Sequence, residues 1–585
     1  MKYLLTVCLI GLLWSCQKES PVTNPLQRDL YQLFDQEWAF RMQEFPTFAT
    51  SCGVHTYNDR LADLSQNSIR RRVEFWNSTL VELARIDPDR LNTQDRISYD
   101  LFKYLLKDDI AQIEFEAYLI PINAEGGFYT DFAFLPREMP FDNEKDYRNY
   151  IARMEAFPLY ANQQLDLMRM GIKKNIIAPK IILEGFEDFI TPHLVEKAEA
   201  SIFFAPFQQW PEQFTDAKKK KLTQAASQAI LQKVVPAYRR ILTFLKEEYI
   251  PAAREDIGIS SIPRGKEYYE QRVRYFTTLP YSSKEIFEIG QAEVARIRAE
   301  MQAIIDTVGF KGSFADFLIF LRTDPQFYAT SPRQLLMEAA YLSKKIDGRL
   351  PKLFNRLPRL PYGVEPVPDH IAPKYTAGRY VPGSIDNHLS GTYWVNTYKL
   401  ESRPLYVLPA LTLHEAVPGH HLQGSLAQEL TGLPEFRKYT YLSAYGEGWG
   451  LYSEWLGQEI GIYETPYTNF GRLTYEMWRA CRLVVDVGIH SKGWTRQEAV
   501  DFLASNTALS LHEVNTEIDR YIGWPGQALS YKMGELKIRE LRQKAEHALG
   551  EKFDIRAFHD VILTNGAVPL FVLEDLVKTY IREND

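Results

Sequence analysis

The run His414-Glu415-Ala416-Val417-Pro418-Gly419-His420-His421 constrains the fold more than any other part of the chain. It demands a helix break, and it gathers three imidazoles and a carboxylate within eight positions. The whole sequence of 585 residues has only 11 histidines, so this crowding is not background. A further acid, Glu447, stands between Gly446 and Gly448 in an aromatic-rich, helix-like run, which marks a constrained position. Imidazole and carboxylate suit zinc, and a carboxylate beside such an ion can act as a base on bound water.

The spacing is unusual. A zinc-protease helix carries His-Glu-x-x-His, with the histidines at i and i+4 on one face. Here position i+4 is Pro418, and the next histidines stand at i+6 and i+7. On an unbroken helix i+6 lies about 240° round from i, and i+7 lies roughly 10 Å further along the axis. With bonds of about 2.0–2.1 Å, neither pair closes easily on one ion. Pro418 cannot donate to the His414 carbonyl and its ring clashes there, while Gly419 accepts unusual backbone angles. The sequence therefore predicts a bulge of about two residues between Glu415 and His420, bringing His420 to the usual i+4 place. His421 stays open as an alternative ligand. Upstream, 391–398 is β-branched and aromatic and reads as a strand able to hold an extended peptide, with Tyr393 and Asn396 as substrate-side candidates.

The runs 411–423, 445–454, 482–490 and 524–538 resemble the DUF885 family of bacterial proteins, many of them assigned as lipoproteins. The likeness extends from about residue 30 to the C-terminus. That family in turn looks related to zinc peptidases whose third ligand is a glutamate. Within that group Gly419-His420-His421-Leu422 is similar to the Gly-His-Ala-Leu run of oligopeptidases, which favours His420 over His421. The resemblance implies one zinc ion per chain on His414, His420 and Glu447, with Glu454 as the fallback acid and Glu415 as general base. It also implies a downstream donor to the oxyanion. Tyr531, just after the turn at Trp524-Pro525-Gly526, fits that role, and His512-Glu513 is a weaker candidate.

Arg482, Asp486 and His490 fall at i, i+4 and i+8 in an otherwise apolar segment. Charges there are expensive unless paired. They read either as an Arg482–Asp486 structural pair or as support for a metal ligand from Asp486 or His490. Arg482 could alternatively grip a substrate carboxylate.

The N-terminus carries Lys2, an apolar run from Tyr3 to Trp14, then Ser15-Cys16. The run is too short to span a bilayer and looks similar to a lipoprotein signal, with Cys16 as the lipidated residue. Trp14 is an unusual occupant of that motif. The expected organisation is a signal peptide (1–15), a lipid-anchored tether (16–25), an N-terminal helical lobe (26–260) and a metal-site lobe (261–585). Helical periodicity over 26–45, 66–88, 146–170, 218–248 and 283–307 makes the fold mainly α. Family likeness implies one two-lobed body around a channel, with a small β-sheet beside the metal helix and the Pro-rich 351–384 segment in the channel wall. Cys52 and Cys481, far apart, do not form a disulfide framework. A net charge of -7 gives no reason to expect nucleic acid, and Lys218–Lys221 reads as a solvated helix face. Oligomeric state is left open.

The expected function is an envelope-anchored zinc peptidase acting on peptide substrates. Two alternatives stand beside it: a non-catalytic lipoprotein that binds peptides in a peptidase-like cleft, and a metal-dependent hydrolase of non-peptide amides.

Overall fold

The computed structural model describes residues 24–585 apart from 370, 386 and 387, so the signal segment and Cys16 lie outside the described residues. Helix starts follow local chemistry. Asn24, Ser65 and Asn92 accept first-turn N–H groups to open α1 (Pro25–Glu44), α2 (Gln66–Leu83) and α3 (Thr93–Glu114). Capping boxes, Asn143 with Asp146 and Ser282 with Glu285, open two of the next three: α4 (Glu144–Lys174), α5 (Gly265–Thr277) and α6 (Ser283–Thr307). Between α4 and α5 a long helix over 216–252 is interrupted by two π segments, Ile230–Val234 and Leu245–Tyr249. The C-terminal half continues with α7 (Leu408–Glu415), α8 (His420–Gln428), α9 (Ser443–Leu456) and α10 (Pro466–Lys492). It closes with α11 (Leu511–Gly523), α12 (Ser530–Leu549), α13 (Ile555–Leu563) and α14 (Leu570–Asn584). The fold is mainly α, as the periodicity requires.

The strands are few. A two-residue hairpin joins β1 (Ile122–Asn123) to β2 (Gly126–Gly127). The sheet beside α7 holds β3 (Tyr362–Pro366), β4 (Gly378–Val381) and β5 (Gly391–Val395) in the order β3-β5-β4. β5 runs parallel to β3 and antiparallel to β4, with Tyr393 opposite Tyr380. This corrects one expectation. The strand foreseen as the substrate's partner is the central one, and its backbone groups are taken by neighbours on both sides. The two edges belong to β3 and β4, and β4 is the one beside Glu415.

Two large hydrophobic clusters form most of the core, and each draws residues from both sides of position 260. One joins the 122–249 region to α10 and the sheet; the other joins α1–α3 to α12–α14. Packing thus joins the stretches on either side of position 260. α10 is buried continuously from Phe470 to His490. Its charges are tolerated because they are paired: Arg472 with Glu476 at 2.8 Å, and the fully buried Lys532 with Glu476 at 2.9 Å and Glu535 at 2.8 Å. Cys52 and Cys481 are buried and free.

Candidate metal centre

The break at Pro418 is complete. α7 stops at Glu415, α8 starts at His420, and the Val417–Pro418 peptide between them is cis. This is a full interruption rather than a bulge inside one helix. The two pieces are re-tied by hydrogen bonds from Gly419 N–H to the Leu413 carbonyl at 3.0 Å and from His421 N–H to the Ala416 carbonyl at 3.1 Å. Gly419 has a φ of -71°, so it is required for space: a Cβ there would collide with the His414 carbonyl.

The consequence is that His420 meets His414, their rings edge to face with centroids 4.8 Å apart. One ligand atom from each of His414, His420 and Glu447 lies within 4.8 Å of the others. The Glu447 carboxylate stands 3.4 Å from Nε2 of both histidines. Two donors about 2.05 Å from a tetrahedral zinc would be about 3.3–3.4 Å from each other, so the two separations from Glu447 match that ion. Behind His414, Nδ1 lies 2.8 Å from Glu454 Oε1. A carboxylate only accepts, so Nδ1 carries a proton and donates, and Nε2 faces Glu447. Burial pulls His414 down, but Glu447 and Glu454 more than offset this and lift it to about 9. Burial likewise pushes Glu447 up, and His420 and His414 reverse this, holding its carboxyl well below the usual range. Gly450 makes the packing possible, since a Cβ there would come 2.6 Å from the His414 ring.

Glu415 stands beside this cluster, its Oε2 accepting the Tyr380 N–H of β4 at 2.8 Å. Tyr531 lies near Glu447. The Arg482 guanidinium sits 4.2 Å over the Tyr531 ring. The other candidates are elsewhere. His421 is held by the Tyr380 hydroxyl at 3.0 Å and Ser425 Oγ at 3.3 Å, and burial pushes it down to about 4. Glu454 backs His414 instead of joining the triad. Arg482 pairs with Glu517 at 2.8 Å and the Tyr521 hydroxyl at 2.7 Å, not with Asp486. Asp486 accepts from the Tyr269 hydroxyl at 2.6 Å and the Gly526 N–H at 3.2 Å. His490 bonds the Ile259 N–H at 3.1 Å and the Tyr521 carbonyl at 3.0 Å. Neither bonds a member of the triad. Tyr393 is fully buried with its hydroxyl 3.4 Å from Thr412 Oγ1. Asn396 spends its amide on the carbonyls of Ala372, Tyr375 and Thr376, each at 3.0 Å.

Sequence reasoning missed Tyr441, whose hydroxyl donates to Glu447 Oε1 at 3.0 Å. The signal was present in Gly446, a helical glycine at which a Cβ would meet the Tyr441 ring at 2.6 Å.

Fold and site together define a large, mainly helical protein organised around a His-His-Glu cluster with a further glutamate alongside. The chain belongs to the DUF885 family, described as bacterial protein of unknown function, which it matches over residues 46–577. It is similar to a protein from Colwellia psychrerythraea provisionally described as a lipoprotein, with 29% identity and a TM-score of 0.88 over 95% of this chain and 99% of that one. A Shewanella oneidensis protein of unknown function, described in the same provisional way, shares the fold at 20% identity and a TM-score of 0.72, over 94% of this chain and 99% of that one. The chain matches no curated protein.

Proposed function

We propose that this chain is a zinc-dependent peptidase, anchored to the bacterial envelope through Cys16. The observation that carries the reading is the placing of Glu447 at 3.4 Å from Nε2 of both His414 and His420. Two imidazoles and a carboxylate are a zinc donor set, and three protein ligands leave a fourth position open. A zinc ion on these residues would supply an acidified water and polarise a carbonyl oxygen.

The chain's own groups do the rest. Glu415 takes the proton from the attacking water and delivers it to the leaving amine. The Tyr380 N–H fixes that carboxylate's orientation. Tyr531 donates to the carbonyl oxygen as negative charge develops. The free edge of β4, next to Glu415, replaces β5 as the strand that aligns an extended peptide. Anchoring draws support from the description of the Colwellia relative as a lipoprotein, and no helix among the described residues is long and apolar enough to cross a membrane.

The test is metal content together with turnover on a mixed peptide library. Wild-type protein should hold about one zinc and cleave; a folded His414→Ala/His420→Ala protein should do neither. Unchanged zinc stoichiometry in that variant would reject the ligand set. Zinc-loaded wild type that binds peptides and cleaves none would favour the binding lipoprotein instead.

A further inference from the structure

A cavity of about 310 Å³ opens against the same face of α7 that carries Glu415. That is at the small end of ligand pockets, which run from about 300 to 1,000 Å³. Its apolar wall includes Leu408 and Leu411 of α7, Val395 at the end of β5, and Leu335. Leu411 precedes Glu415 by four residues, about 6 Å along a helix axis. Ala377, the residue before β4, also lines it. Alternate side chains of an extended peptide repeat every two residues, about 6.6 Å. A peptide lying on β4 with its reacting carbonyl at Glu415 would thus bring a side chain next to the scissile bond to this opening.

Two buried polar atoms in the wall lack hydrogen-bond partners. Thr474 on α10 is 1% exposed, and its Oγ1 makes no hydrogen bond. This is unusual for the chain: Thr79, Thr277, Thr412 and Thr507 each bond the carbonyl four residues back in their own helices. Arg403 Nε is buried and unpaired. Glu513, half-buried, is the charge neighbour of Arg403 in the same wall, and burial pushes its carboxyl up to about 7. A buried polar atom without a partner is costly, so these atoms await a group that the chain does not supply.

We propose that this cavity is the specificity pocket of the proposed peptidase and that it takes a large side chain with an apolar body and a polar tip, tyrosine ahead of phenylalanine. The ring fills the space between Leu335, Val395 and Leu411, and the phenol hydroxyl satisfies Thr474 and Arg403. This rests on the peptidase reading for its substrate class, and binding is measured separately so that the two can fail independently.

The probes are blocked tripeptides, acetyl-Ala-X-Ala-amide with X as Tyr, Phe or Gly, titrated calorimetrically into zinc-loaded Glu415→Gln protein. Affinity should rank Tyr, then Phe, then Gly. Ala508→Trp, which fills the cavity, should reduce the Tyr and Phe peptides to the Gly level with zinc content unchanged. Thr474→Val, near-isosteric, should remove a Tyr-over-Phe preference of about three- to tenfold, the worth of one hydrogen bond, while leaving Phe binding intact. Equal binding of the three peptides, or an unchanged ranking in folded Ala508→Trp and Thr474→Val, would overturn the pocket. Ranked binding by a wild type that cleaves none of them would leave the pocket standing and reject the peptidase.

Discussion

Glu415, Glu447 and Glu454 are chemically alike, and their neighbours give them different work. The His414 ring lies across α9 at Gly450, with Glu447 on its Nε2 side and Glu454 on its Nδ1 side. The two α9 acids are seven residues apart and so share a face. Sequence ranked Glu447 first and Glu454 as the fallback, but the part each takes depends on where the His414 ring crosses the helix, which sequence does not record. Exchange of Glu415 for Gln keeps shape and removes basicity. The variant should retain zinc and lose about 10²–10⁴-fold in kcat, which single-turnover cleavage assays will show. Glu454→Gln should instead keep the triad and weaken zinc about 10–100-fold in chelator competition, the usual effect of removing an outer partner of a ligand histidine. His421→Ala should leave zinc affinity unchanged, since that ring is engaged with Tyr380 and Ser425.

Elements were legible where periodicity is local. α1, α2, α4 and α6 fall within a few residues of their sequence patterns. The break at Pro418 was legible too, because proline and glycine act on their own turn. Strand order was not. Nothing in 391–398 records that β3 and β4 would flank it, since pairing partners come from elsewhere in the chain. The α9–α12 crossing was equally hidden. A Cβ on Gly448 would lie 2.5 Å from the Gly534 Cα, so the two backbones nearly touch. Gly448→Ala must push α12 away, at a cost of about 1–3 kcal/mol for overpacking. It should lower the melting temperature and, by displacing the neighbouring Glu447, also weaken zinc.

For the whole molecule, the mainly helical class was readable and the division of its core was not, because the two clusters are sewn from distant segments. Burial on this scale makes the fold sensitive to acid. His490 and His559 are fully enclosed, and burial pushes each down to about 3. An unfolded histidine titrates near about 6.5, so the unfolded state binds more protons below that pH. The stability from keeping these rings neutral is present above pH 6.5 and is lost as pH falls toward 3. Asp486, pushed up to about 7 by burial, acts in the opposite sense over part of that range. A difference measurement isolates one ring. The stability gap between wild type and His559→Gln should shrink by up to about 1.4 kcal/mol per pH unit between pH 6 and 4 in urea unfolding. The proposed anchor acts on the molecule as a whole: Cys16→Ala should abolish lipid labelling and move the protein to the soluble fraction.

One feature of the second cluster bears on how the chain reaches this state. Leu30 and Tyr580 belong to the same core. Phe34 packs 4.9 Å from Phe436, and Gln94 donates to Asn565 at 2.8 Å. Closing contacts across such separations costs chain entropy before it returns any burial, and it cannot begin until the last helices exist. The share of their burial that α12–α14 supply to α1–α3 must therefore wait until the C-terminal helices have been synthesised. Removing α14 should therefore unsettle α1–α3 at the other end of the chain as well as its own neighbours.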